Sequence, residues 1–201
     1  MSSQPKPRLT PEQYLALERQ AAYKSEYFAG ETFAMAGASE RHNMIVTNIS
    51  REISLQFKGR PCKNYSNDLR VRISSTGLYT YPDVVAICGE AQFEDEHQDT
   101  LLNPTVIVEV LSPSTEAYDR GEKSWHYRQI ASLAEYLLVA QDRRHIEHYV
   151  RQADGQWLLS ETGNLQDTIH LPSINCDLAL AEVYDKVEIA AEKSLDEQRS
   201  R

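Results

Sequence analysis

An α/β fold of the α+β kind, with a mixed central sheet flanked by helices, follows from three features of the 201-residue sequence. Residues 105–111, TVIVEVL, are five-sevenths Val, Ile or Leu and end at Ser112-Pro113, so they read as a central strand closed by turn residues. Around this strand the hydrophobic pattern runs helix, strand, strand, strand, helix, strand, too irregular for a doubly wound sheet. A helix and hairpin precede the run, and a hairpin and helix follow it.

Each element has its own signal. Thr10-Pro11-Glu12-Gln13 starts the first helix, with Thr10 as N-cap, Pro11 at the first helical position and Gln13 closing a capping box; the helix runs to about Arg19. Residues 25–36 alternate about Ala29-Gly30 as a hairpin. Ser39 caps the next helix, whose Ile45, Ile49, Ile53 and Phe57 bury one face before residues 58–61, KGRP, end it. Residues 68–74 alternate Leu69, Val71 and Ile73 with Asp68, Arg70 and Arg72 as a half-buried strand, and Gly77 marks a turn. Residues 81–87 form the next strand, with Pro82 tolerated at its start, and 88–104 form an acidic loop. Asp119 is placed as the cap of a helix reaching about Ala131, with Glu122 in the capping-box position. Residues 135–140 are a strand, 145–150 and 156–160 a hairpin about Ala153-Asp154-Gly155, and 178–187 a short helix.

Length and composition fit one domain over 10–187, with an N-terminal arm (1–9) and a charged tail (188–201). No stretch of eighteen apolar residues exists and the first residues lack a signal-peptide pattern, so no membrane span and a cytoplasmic setting are expected. Cys62, Cys88 and Cys176 are odd in number and in no C-x-x-C pattern, which reads as reduced and inert thiols. The net charge of −9 argues against a generally basic nucleic-acid binder. From Arg41 to Arg72, however, seven Lys/Arg stand against two acids, a local net of +5. That stretch reads first as a solvated face and second as a phosphate track.

Glu109 poses the chemical question. A carboxylate in an apolar strand costs several kcal/mol unless it meets a cation, whether metal, lysine or arginine. If strands 81–87 and 105–111 are antiparallel neighbours with Ile87 paired to Thr105, Asp83 lies opposite Glu109. The two-residue alternation then projects both from one face. Two facing carboxylates call for a hard divalent ion such as Mg2+, which takes one or two carboxylates and leaves other positions to water and phosphate. Taken residue by residue, other roles remain open. Asp83 can simply begin a strand, Glu109 can pair with Arg70, Arg72 or Lys123, and Lys123 can pair with Asp119 at i,i+4. His145 and His148, three apart in a strand, face opposite sides and make a poor metal pair.

Pro82-Asp83 followed by Glu109-Val110-Leu111 resembles the PD-(D/E)XK nuclease superfamily, whose core is likewise helix, three strands, helix, strand. More locally the chain resembles the Uma-type restriction endonuclease family, long catalogued as a domain of unknown function. The resemblance rests on 81–85 (YPDVV), 108–115 (VEVLSPST), 118–123 (YDRGEK), Tyr127 and Glu135-Tyr136, with earlier matches at Glu26, Gly30-Glu31 and His42. It covers roughly residues 10–187 and implies a restriction-endonuclease-like core. It also implies a metal-dependent endonuclease hydrolysing DNA phosphodiesters with Mg2+ (or Mn2+). The sites implied are Asp83, Glu109, Lys123 and His42 for catalysis, and Asp83, Glu109 and the Val110 carbonyl for the metal. The superfamily's lysine two residues after the glutamate is replaced by Leu111, and the Uma-type pattern supplies Lys123 from the following helix instead. A lysine near a helix N-terminus is electrostatically unfavourable and calls for a compensating reason. His42 has a local hydrogen-bonding role as its alternative, and Tyr127 a packing role. A homodimer would suit a cut through both strands. The competing expectations are a non-catalytic module that binds DNA or a protein partner, with Glu109 and Lys123 neutralising each other, and a phosphohydrolase acting on another ester.

Overall fold

The computed structural model describes residues 8–189, so most of the expected arm (1–9) and tail (188–201) lies outside the described residues. The central sheet has six strands in the order β11-β10-β9-β8-β6-β3. These are β3 (Cys62–Ser66), β6 (Val84–Cys88), β8 (Val106–Leu111), β9 (Glu135–Ala140), β10 (Ile146–Arg151) and β11 (Trp157–Thr162). The β8 and β9 strands are parallel, and the other neighbours are antiparallel. Parallel pairing requires a crossover, and the helical segment after β8 supplies it: α3 (Glu116–Tyr118), one π-helical turn (Asp119–Lys123) and α4 (Ser124–Arg128).

The sheet is covered on both sides, which is why β6, β8 and β9 read as nearly continuous apolar runs. One face packs Val84, Val106, Val108 and Leu137 against Ile45, Ile49 and Ile53 of α2 (Glu40–Gln56). The other packs Val85, Ile107 and Leu138 against Tyr127 and Ile130 and against a second sheet. That sheet runs β2-β1-β5-β4-β7, from β1 (Ser25–Phe28), β2 (Glu31–Ala34), β4 (Arg70–Ile73), β5 (Leu78–Thr80) and β7 (Thr100–Leu101). Against it, α1 (Pro11–Glu18) stacks Tyr14 on Tyr27, with ring centroids 4.9 Å apart. Thr10 and Gln13 close the expected capping box. The turn between β1 and β2 holds Ala29 and Gly30 at positive φ, and a Cβ on Gly30 would stand 2.7 Å from the Arg8 Cβ.

Several expectations need correction. Residues 68–74 are not a strand of the central sheet: β4 belongs to the second sheet, and the first strand of the central sheet is β3, which carries no strand signal in the sequence. Its pattern, CKNYS at the sheet edge, has no apolar run to betray it. The strand expected over 81–87 begins only at Val84, because Pro82 removes an N–H and restrains Tyr81, so residues 81–83 link β5 of one sheet, which ends at Thr80, to β6 of the other. The 178–187 helix shrinks to α5 (Leu180–Val183), since Leu178 lies in β13 (Cys176–Ala179), paired with β12 (Thr168–Leu171). Cys62 and Cys88 are disulfide-bonded, not reduced, because β3 and β6 pair them directly across the ladder. Cys176 remains a free, buried thiol.

The basic stretch is mostly consumed by the protein itself. Arg51 pairs with Glu52, Arg60 donates to the Asn175 carbonyl, Arg70 pairs with Asp99 and Arg72 with Glu94. The last two reach into the acidic loop, where Arg19 also binds Asp95 and Asp99. Arg70 is only 4% exposed, so the alternation expected of β4 fails there. Its guanidinium bonds Tyr81 Oη, which donates to Glu18, and so α1 is tied to the turn that carries Asp83.

Arg19, with Arg70 behind it, holds the Asp99 carboxyl below the usual aspartate range against the opposing effect of burial. A depressed folded-state pKa stabilises above the unfolded value, about 3.8, and that stability is lost as pH falls. Asp99→Asn is therefore expected to lower Tm at pH 7 and to flatten the fall in Tm between about pH 4 and pH 2, as read by thermal unfolding at each pH.

Candidate active site

The PD turn and the end of β8 meet at the mouth of a cleft of about 890 Å³ between the two sheets. His42, Asp83, Glu109, Val110 and Lys123, the five residues expected from the sequence, all line it. The β6–β8 ladder has the expected register and ends at Val84↔Val108, so Asp83 and Glu109 lie one residue beyond its last pair. Asp83 Oδ2 accepts the Val110 N–H at 2.7 Å and stands 3.2 Å from His42 Nε2. Asp83 is thus pinned between the end of β8 and the start of α2.

The end of α2 is fixed in turn. Ser39 Oγ accepts the His42 N–H as the helix cap and donates to Gln141 Oε1, while Gln141 Nε2 donates to the Leu111 carbonyl at 2.7 Å. This chain joins the His42 end of α2 to the end of the Glu109 strand.

Glu109 is 3% exposed and Lys123 5% exposed. The lysine Nζ lies 2.9 Å from Glu109, 3.3 Å from Glu26 and 3.5 Å from Asp119. Tyr127 Oη donates to Glu109 at 2.6 Å, so this tyrosine does more than pack. The position of Lys123 depends on the π turn. Its wider i→i+5 winding carries both Asp119 and Lys123 inward. Asp119 therefore does not cap the helix, as expected from the sequence. It sits inside the turn, 3% exposed, and its backbone carbonyl accepts from Tyr136 Oη.

The electrostatics follow from counting the groups. Four carboxylates, Glu26, Asp83, Glu109 and Asp119, surround one lysine and one histidine. Burial pushes the Glu109 carboxyl well above the usual glutamate range; Lys123 pulls it down, while Asp83 and Asp119 push it further up. Burial also raises Asp119. On Lys123 burial acts against the charge, yet the surrounding groups, Glu109 foremost, hold the ammonium well above the usual lysine range. Four carboxylates around one lysine leave negative charge that the lysine alone does not answer. A divalent cation would satisfy that surplus, so the donor set fits a hard metal ion.

Two contributors to this cluster are weakly marked in the sequence. Glu26 stands out only as a piece of the family pattern, and Asp119 as another piece of it that the sequence places as a helix cap or as an i,i+4 partner of Lys123. A separate group, His145, Glu147 and Glu161, brings ligand atoms within 4.8 Å of one another on β10, β11 and the residue before β10. It excludes His148, which turns to Glu135, and its Glu147 is already paired with Arg120.

Residues 11–182 match the model of the Uma2 family, described as "Putative restriction endonuclease". The chain belongs to the Uma2 family. The uncharacterized Synechocystis sp. protein sll1609 is 42% identical over 153 residues, covering 76% of this chain and 86% of that protein. Its counterpart slr1290 from the same organism is 37% identical over 182 residues, covering 90% and 94%. A crystal structure of a DUF820 protein from Anabaena variabilis, described as a putative nuclease, superposes with a TM-score of 0.72 at 18% identity. That match covers 88% of this chain and 97% of the other, and it shows the shared fold. Among the described residues no helix is long and apolar enough to cross a membrane.

Removing the buried cation should be costly. Lys123→Met leaves Glu109, Asp119 and Glu26 facing one another, and urea unfolding at pH 7 is expected to show a loss of about 3–5 kcal/mol, the usual cost of orphaning a buried charge. A loss below about 1 kcal/mol would mean that the acids are not charged around this lysine.

Proposed function

We propose that this protein is a metal-dependent endonuclease that hydrolyses DNA phosphodiester bonds with Mg2+ or Mn2+ in a cytoplasmic setting. The observation that carries the reading is the surplus of carboxylates, Asp83 and Glu109 among them, around Lys123 at the open cleft. Membership of the Uma2 family supports the same class of chemistry.

Asp83, Glu109 and the Val110 carbonyl are the groups that would hold the ion. Bound there, it would supply Lewis acidity toward the phosphodiester and lower the barrier to forming hydroxide from water. The chain's own residues do the rest. His42 steadies Asp83 at Oδ2, the oxygen that also accepts the Val110 N–H, and Tyr127 orients Glu109 by its hydrogen bond. Lys123 holds positive charge beside the reacting phosphate and orients the attacking water. Its location on the π turn gives it the role that Leu111 cannot take. A cut through both strands of a duplex would pair two such sites in a symmetric homodimer.

One observation favours a second reading. Lys123 and Glu109 already neutralise each other at 2.9 Å, as they would in a module that binds DNA or a protein partner without cutting. Calorimetric titration of Mg2+ and Mn2+, with plasmid nicking on the same samples, separates the two. The wild type is expected to bind metal and nick, and Asp83→Ala and Glu109→Ala are expected to lose nicking by at least about 10²-fold, the scale of one lost transition-state contact. A folded wild type that neither binds metal nor nicks would establish the non-catalytic module.

A further inference from the structure

The cleft carries a feature that the acid cluster does not use. In the β1–β2 ladder Glu26 pairs with Phe33, and the Met35 N–H bonds the Lys24 carbonyl one step further. Strand alternation therefore puts Lys24, Glu26, Phe33 and Met35 on one face, and all four line the cleft. Glu26 points down to Lys123, so Phe33 stands beside the cluster, on an edge strand, 52% exposed. Tyr23, in the bend before β1, lines the same cleft and is 67% exposed. Two open aromatic faces thus border one acidic site.

The charges argue for what these faces receive. The lining holds two lysines, Lys24 and Lys123, against five carboxylates. Lys123 is buried among acids, and Lys24 donates to the Asn67 carbonyl and pairs with Asp68. A rigid duplex is held mainly by cations neutralising phosphates on both strands, and this cleft has few to offer. Moreover, the bases of a duplex are stacked on one another, so their faces are closed to Tyr23 and Phe33. Unpaired bases present those faces, and stacking on aromatic side chains contributes binding that does not depend on a basic track.

We propose that the substrate is an unpaired polynucleotide segment, whose bases stack on Tyr23 and Phe33 and so bring the neighbouring phosphate to Asp83 and Glu109. This rests on the nuclease reading above and narrows it.

The test measures binding by fluorescence anisotropy in Ca2+ buffer, to slow cleavage, and cleavage in Mg2+ and Mn2+. The probes are a 15-nucleotide oligo-dT, its oligo-rU equivalent and a 15-base-pair duplex. At least one single strand is expected to bind about tenfold or more tighter than the duplex, and the dT and rU arms tell which sugar is taken. Its Kd is expected to rise less than about tenfold between 50 and 200 mM salt, because few phosphates are neutralised. Phe33→Ala and Tyr23→Ala, both at exposed positions, are each expected to weaken single-strand binding by roughly fivefold or more. Leu158→Ala, an exposed apolar position outside the cleft, should leave it unchanged. Duplex binding equal to or tighter than both single strands, or aromatic variants that bind like wild type, would overturn the inference. If metal-dependent cleavage persists in that case, the nuclease reading stands without it; if no probe is cut in either metal, that reading falls as well.

Discussion

The contact between Glu109 and Lys123 is the interaction on which the rest of the molecule depends. A carboxylate buried in the middle layer of a protein is tolerated only when its charge is answered nearby. The strand that carries it runs between two apolar faces, so the answering group has to come from outside the sheet. The crossover helix supplies it, and a π turn gives that helix the extra width to direct Lys123 inward together with Asp119. Because Lys123 also meets Glu26 of β1, the same contact clamps the second sheet to the first. A stabilising interaction and a candidate reactive centre are therefore one object, and the cluster remains acidic after the lysine is counted.

The precision of the site comes from the residues that brace its carboxylates from behind. Ser39 caps α2 and holds Gln141, which holds the end of β8; Arg70 and Glu18 grip Tyr81, the residue before Pro82-Asp83. Each link is a hydrogen bond between groups that are wholly or partly buried, so breaking one leaves a polar atom without water to replace its partner. Such links restrict Asp83 and Glu109 to one relative position across the β6–β8 ladder.

How much of this was legible in the sequence follows the physics of each signal. The strands β8 and β9, the caps at Thr10 and Ser39, the β1–β2 turn and the β6–β8 register rest on local patterns of one or two periods, and they appear in the structure. What failed depended on partners far along the chain. Arg70 looks solvent-facing until Asp99 is known to lie against it, β3 has no apolar pattern because it is an edge, and Asp119 resembles a cap until the helix is seen to start earlier. Cys62 and Cys88 are 26 residues apart, and only the β3–β6 register brings them together. Strand register links Asp83 to Glu109, and only the family pattern adds His42, Val110 and Lys123, which lie in pieces that spacing alone cannot connect. Glu26 joined the cluster only through the fold.

Charge placement links the site to the way it would be filled. The chain carries a net −9, and its best-placed arginines, Arg70, Arg72 and Arg19, are spent on the acidic loop. A phosphate approaching the cleft meets carboxylates before it meets Lys123, so without a divalent ion the site repels the substrate class proposed for it. The ion would then have two tasks, since it reverses the local charge as well as activating water. On the proposed reading the metal would bind before the phosphate. The aromatic faces of Phe33 and Tyr23, which carry no charge, can engage a base at either stage, so they are suited to hold a strand that the acids alone would reject.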